Sequence, residues 1–300
     1  MAAAGTALAL SPAAFADLKW TFTGNGEQVL PTQQFNGQVI SGSDPATNVT
    51  VSAWADTGAG SDPNKKLYQG NAFRWDGLGV QWKAPGGGLE NSASPHHAMD
   101  NCKSNVTDCS NEVTPDGDNY YPEEFLLFSF SNDVVLKEVG IGWYSYDSDI
   151  SLLAWTGAGT PDLTQNSYGA GNADGLVNNG WTFVGHYSNL HDCDTFDGAA
   201  SGCSATQNDA ARVNTGNNSL ANGFSGNSAT VVSSSYWLVG AYNSRVNSTN
   251  PGWTNDNDFI KLVSLSGHVA PPPPPDIPTP APLALMVLAG LAGPLRRRMR

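Results

Sequence analysis

Three hundred residues with 40% hydrophobic content can build a real core, so the chain is not a disordered one. Charged residues make up only 14%, and 33 glycines, 19 prolines and abundant Asn, Ser and Thr stand where exposed helices would carry Lys, Glu and Arg, a composition that favours strands and long loops. The formal net charge is −13, and a strongly acidic chain argues against nucleic acid as a partner, because that binding rests on basic patches that displace counterions from phosphates.

The chain opens with "MAAAGTALALSPAAFADLKW". A short apolar segment around Ala7 to Leu10 leads into Ala14-Phe15-Ala16, the small-x-small pattern of a signal-peptidase site, with Asp17 as the expected mature start. Residues 1–16 are therefore read as a signal peptide. No Lys or Arg precedes the apolar part, so the natural start is expected upstream.

From Leu18 onward the periodic signals are short. "LKWTFTG", "VTVSAWADTG", "AFRWDGLGVQW", "EFLLFSFS", "DVVLKEVGIGWYSY", "ISLLAWTG", "GWTFVGHYS", "SSYWLVGAYN" and "DFIKLVSLSGHV" are aromatic and β-branched runs bounded by Gly, Asn, Asp and Pro. Nothing between them holds a 3.6-residue apolar period over three turns. The expectation is an all-β sandwich of the jelly-roll kind over residues 17–269. Two stretches, Gly86 to Tyr121 and Asp192 to Ser228, are too long for hairpin turns and are the expected binding surface.

Those stretches hold all four cysteines, as close pairs in "CKSNVTDC" and "CDTFDGAASGC". Four cysteines permit three connectivities, and short flexible loops close most readily on themselves, giving Cys102–Cys109 and Cys193–Cys203 as expected disulfides. A zinc site is the competing reading, although its ligands usually come as C-x2-C pairs.

Polar residues with possible chemistry gather in the same region. Ser94, His96, His97, Asp100 and Asn101 lie in "SPHHAMDN", yet there is no G-x-S-x-G elbow and neighbouring residues of one loop seldom reach triad geometry. Glu90 with Glu123 or Glu124 would supply the paired carboxylates of a polysaccharide hydrolase, the alternative to a non-enzymatic protein. Calcium is the more natural expectation, because a hard cation takes carboxylate, amide and carbonyl oxygens and Glu90, Asp100 and Asn101 offer them in one loop. Asp147 and Asp149 form a second oxygen-rich pair, two apart and so on one face of an extended stretch. The competing structural readings are an Asx-turn at Asp100-Asn101 and a solvent-facing hairpin tip at Asp147 to Asp149.

After Val269 the composition changes. "APPPPPDIPTPAP", residues 270–282, is a stiff, solvated polyproline spacer that cannot join a sheet. Leu283 to Leu295 is apolar, broken only by small residues and Pro294, and Arg296, Arg297, Arg298 and Arg300 follow. A helix of that length reaches only about 20 Å, short of a ~30 Å hydrocarbon core, so residues 283–300 make a marginal anchor whose arginines stay on the cytoplasmic side.

Pro-x-Pro, apolar stretch and Arg cluster, in that order, resemble the PEP-CTERM sorting signal processed by bacterial exosortases, in a variant where Pro278-Thr279-Pro280 lacks the usual Glu between the prolines. The body agrees, since "WADTG", "GLGV", "SPHHAMDN", "EEFLLFSF", "IGWYSYDSDISLLAW" and "SSYWLVGAYN", in this order, resemble exosortase-dependent surface proteins. The resemblance covers about Trp54 to Arg300. It implies export, removal of the tail by an exosortase after transient membrane contact, and a cell-surface or extracellular-matrix destination, but no established chemistry. Nine Trp and nine Tyr leave room for stacking on an extracellular polysaccharide.

Overall fold

A computed structural model describes residues 17–22, 28–30, 32–36, 38–39, 47–56, 66–75, 77–82, 98–101, 123–146, 148–166, 175–187, 210–212, 224–226, 231–246 and 258–270. The chain divides into two compact units, Met1–Ala270 and Pro271–Arg300. Glu90, all four cysteines, His96, His97, Asp147, and the whole tail with Pro278, Thr279, Pro280, Arg296, Arg297, Arg298 and Arg300 lie outside the described residues. Among those described, no helix is long and apolar enough to cross a membrane.

The first unit is all-β and antiparallel. In chain order its strands are β1 (Leu18–Thr21), β2 (Gln28–Leu30), β3 (Thr32–Asn36), β4 (Gln38–Val39), β5 (Asn48–Ala55), β6 (Tyr68–Gln69), β7 (Asn71–Arg74), β8 (Leu78–Gln81), β9 (Met99–Asp100) and β10 (Glu124–Tyr146). There follow β11 (Ile150–Trp155), two 3-10 turns at Leu163–Gln165 and Leu176–Asn179, β12 (Trp181–Tyr187), β13 (Ala210–Arg212), β14 (Phe224–Gly226), β15 (Ser234–Ala241) and β16 (Asp258–Val269).

Strand β10 organises the sheet. Its first part pairs β5 on one side and β15 on the other, with Leu127 opposite both Ser52 and Leu238. Its second part, from Val134 to Tyr146, pairs β16. Between them Ser131, Asn132 and Asp133 are exposed and the β15 register shifts. The sequence reads two strands here, one run ending at Ser131 and the next starting at Asp133. In the structure the backbone stays extended through these residues and carries one strand from one half of the sheet into the other.

The two halves close on a single apolar interior. Alternation of side chains along a strand puts Val49, Val51 and Ala53 of β5, Leu126 and Phe128 of β10, Trp237 and Val239 of β15, and Leu152 and Ala154 of β11 on one inner face. The opposing half supplies Trp20 and Phe22 at β1, Leu78 and Val80 of β8, and Ile260, Leu262 and Leu265 of β16. Ring contacts join the halves: Trp20 meets Phe130 edge-on at 4.8 Å between centroids, and Phe22 meets Phe128 at 5.6 Å. Buried indoles need acceptors, and Trp20 Nε1 donates to Thr47 O (2.7 Å) while Trp237 Nε1 donates to Ser234 O (3.0 Å). A second apolar cluster, with Phe125, Leu153, Trp181, Phe183 and Leu238, lies on the other face of the β10–β15–β11–β12 half and packs with Leu163 and Leu176 of the 3-10 turns.

The run "AFRWDGLGVQW", read as a single strand-like segment, forms a hairpin instead, with β7 and β8 paired from Asn71–Gln81 to Arg74–Leu78 and Gly77 at φ 130° in its turn, a conformation that side chains resist. Strands β2 to β4 are additions to the sequence reading. Their stretch is short and punctuated by Pro31 and Gly37, which masks the strand pattern. β9, β13 and β14 likewise arise inside the two long stretches read as loops.

Candidate functional site

Acidic residues concentrate where strands begin or end. Asp56 follows β5, Asp100 closes β9, Glu123 precedes β10 and Glu124 starts it, Asp149 precedes β11 and Asp258 starts β16, and all six are at most 4% exposed. Six buried carboxylates are unusual, since a buried charge is costly unless bonded. The register explains their meeting: Glu124 lies opposite Ala55, next to Asp56, Asp100 lies opposite Phe259, next to Asp258, and Ile150 lies opposite Ala241, which puts Asp149 against Tyr242.

Backbone N–H groups satisfy much of this charge. Asp100 N donates to Glu124 Oε2 (3.1 Å), Glu123 N to Asp56 Oδ1 (2.6 Å) and Asp149 N to Asp258 Oδ1 (2.9 Å). Asn101 is the bridge of the set. Its Nδ2 donates to Tyr242 O (2.6 Å) and Asp258 Oδ2 (2.5 Å), while its Oδ1 accepts from Asp258 N (3.0 Å). One side chain thus joins the end of β9, the exit from β15 and the start of β16. The Arg245 guanidinium stands 3.6 Å from Glu123 Oε1.

A buried pair adjoins this end. Ser151 Oγ and His186 Nδ1 are 2.9 Å apart, both fully buried, and Asn243 N donates to Ser151 Oγ (2.9 Å). The Ser151 oxygen accepts from Asn243 and keeps both its proton and a second lone pair, so it serves either tautomer of the neutral imidazole. The ring packs against Phe183 at 4.5 Å and Tyr242 at 4.8 Å between centroids. Burial lowers the His186 pKa to about 4, so the ring is neutral near pH 7. Tyr242 is pushed up to about 12, by burial first and then by the charges of Asp149, Asp258 and Glu123; burial also raises Tyr187. A Ser–His contact of this kind has nucleophile geometry on paper, but both side chains are sealed from solvent.

The sequence-derived residues therefore part company. Asp100 and Asn101 sit in the cluster, and Asn101 acts across the sheet on Asp258 rather than in a local Asx-turn. Asp149 is 4% exposed and bonded, which replaces the solvent-facing hairpin tip. Glu123 and Glu124 point to different partners, as neighbours on a strand must. Among the described residues no three His, Cys, Asp or Glu come together as a metal-holding group. Asp56, Asp258, Ser151, His186, Tyr242 and Asn243 were not singled out in the sequence, although all lie in its strand-like runs, Asp258 at the start of one and Tyr242 and Asn243 at the end of another. No family model, no curated protein and no solved structure matches the chain.

Proposed function

We propose that this is an exported bacterial surface or extracellular-matrix protein, non-enzymatic, sorted by an exosortase through its C-terminal signal. The observation that carries the reading is order in the chain: the compact unit ends at Ala270, and Pro-rich spacer, Pro278-Thr279-Pro280, the apolar stretch 283–295 and the arginine cluster follow. A stiff proline spacer lets the body fold away from the membrane while the tail is held there. At the other end, removal of residues 1–16 by signal peptidase would start the mature chain at Asp17, whose carboxylate pairs with Lys137 Nζ at 2.6 Å.

Jelly-roll wiring, the disulfides Cys102–Cys109 and Cys193–Cys203 and an apolar C-terminal helix belong to this proposal. So does calcium at Glu90, Asp100 and Asn101; a melting temperature that rises in millimolar calcium and falls in chelator supports it, and an unchanged one removes it. The sorting reading is tested by mass spectrometry of surface-extracted protein from hosts with and without exosortase. A C-terminus near Pro280 that depends on the exosortase supports it. An intact Arg300 in both hosts overturns it.

A further inference from the structure

The outer face of the β5–β10–β15–β11 half is only partly covered by the 3-10 turns. Register places Ser129 opposite both Thr50 and Tyr236, and one step beyond the Ala154–Trp237 pair Trp155 lies across from Tyr236. Thr50, Ser129, Tyr236 and Trp155 thus form a row across four adjacent strands, all partly exposed, and Tyr236 and Trp155, like Leu127 and Trp54 of the neighbouring rows, rest against the second apolar cluster with part of their surface open. Every member of the row is neutral, and three carry hydroxyls.

The aromatic members are held in place. Trp155 Nε1 donates to Gly159 O (2.8 Å), its ring meets Trp181 edge-on at 5.5 Å, and Gly157 and Gly180 lie so close that a Cβ on either would stand 2.6 Å from the indole. Gly180 also has φ 92°, so two glycines at this spot serve the ring's position. The Tyr236 hydroxyl is 3.3 Å from Thr160 Oγ1, in a solvent-facing contact. Directly opposite Trp155 on β12, the buried Trp181 indole N–H has no acceptor among the described residues.

From these features we propose that the row Thr50–Ser129–Tyr236–Trp155 is a platform for a neutral polysaccharide. A pyranose presents C–H groups on its face and hydroxyls around its rim, which calls for fixed aromatic rings flanked by uncharged hydrogen-bonding groups. Rings fixed in advance lose little entropy on binding. The chain's net charge of −13 repels polyanions, and the row offers no cation to hold one. A protein partner fits less well, because the row is narrow and mostly hydroxylic, whereas a stable interface needs a well-packed apolar centre. The inference deepens the surface-protein reading by naming the polymer it meets, yet binding by purified protein is measured without any sorting step, so either can fail alone.

The test is affinity electrophoresis of the full-length chain through gels containing laminarin, hydroxyethyl cellulose, xylan or galactomannan, with alginate as the anionic control. Retardation is expected in at least one neutral gel and not in alginate. Tyr236→Ala and Trp155→Ala should each weaken retardation by about tenfold or more. Ser129→Arg, which plants a bulky side chain in the row while sparing the rings, should do the same with an unchanged melting temperature, and this guards against a folding defect in the aromatic variants. Trp75→Ala, at a 48% exposed Trp in the β7–β8 turn, should bind as the parent does. No retardation in any neutral gel, retardation in alginate alone, or parent-like binding by Ser129→Arg overturns the proposal.

Discussion

Along β10, Leu126 and Phe128 face the closed interior, yet the same strand starts at Glu124; along β16, Leu262 and Leu265 lie inward while the strand starts at Asp258. The middles of these strands are held by contacts that any apolar group of the right volume could make. Their ends are held by directed bonds, as Asn101 to Asp258 and Tyr242 shows. The difference teaches where specificity resides. Apolar packing supplies most of the stability, whereas the polar end fixes which strand starts beside which.

The largest effect should come from the interior. Trp237 is fully buried between the halves, so Trp237→Ala removes its packing and its indole bond to Ser234 O and leaves a cavity. The expected loss is about 3 to 5 kcal/mol in urea unfolding. A loss under about 1 kcal/mol would mean that the interior is not closed as described.

Next in size is a pH effect at His186. Its folded pKa of about 4 lies below the ordinary 6.5, so the unfolded chain binds the proton first. Stability from this group is complete above about pH 6.5, falls as pH drops toward 4 and is then constant, a total of about 3 kcal/mol. His186→Gln keeps an amide that can donate to or accept from Ser151 Oγ and cannot titrate, so its stability should fall less than the parent's across that window. Parallel curves for the two proteins would contradict a buried neutral ring.

Asn101→Leu tests the bridge. It keeps similar volume but deprives Asp258 of a donor and its main-chain N–H of an acceptor, so about 2 kcal/mol should be lost. If the loss is no larger than for a surface substitution, the polar end does not fix strand order.

How much of this was legible beforehand follows the same division. The strand middles were readable because aromatic and β-branched runs such as "EFLLFSFS" and "SSYWLVGAYN" keep their meaning without neighbours. Asp100 and Asn101 stood out for their chemistry, but nothing local in "AMDN" announces Asp258, which is 157 residues from Asn101. Bonds across that separation come from register, and register belongs to the assembled sheet. Nothing local in "GWTFVGHYS" marks His186 either, because its partner Ser151 lies on another strand. Asn132 shows the reverse error, where two runs read as separate strands are one, carried from the β5 pairing that ends at Phe130 to the β16 pairing that starts at Val134.

The smallest effect should be at the exposed ion pair of Lys137 and Asp17, 2.6 Å apart with side chains 42% and 41% exposed. Its geometry is as short as the buried Glu123–Asp56 bond, yet water competes for both partners and long side chains lose freedom in holding it. Lys137→Ala should therefore cost about 0.5 kcal/mol or less, and the parent's stability should change little between low and moderate salt on this pair's account. The measurement also bears on the start of the folded body, because Asp17 precedes β1 and its pairing is a tie between the chain entrance and β10. If Lys137→Ala instead costs as much as Asn101→Leu, bond length rather than burial sets the strength of these contacts, and the contrast between strand ends and surface falls.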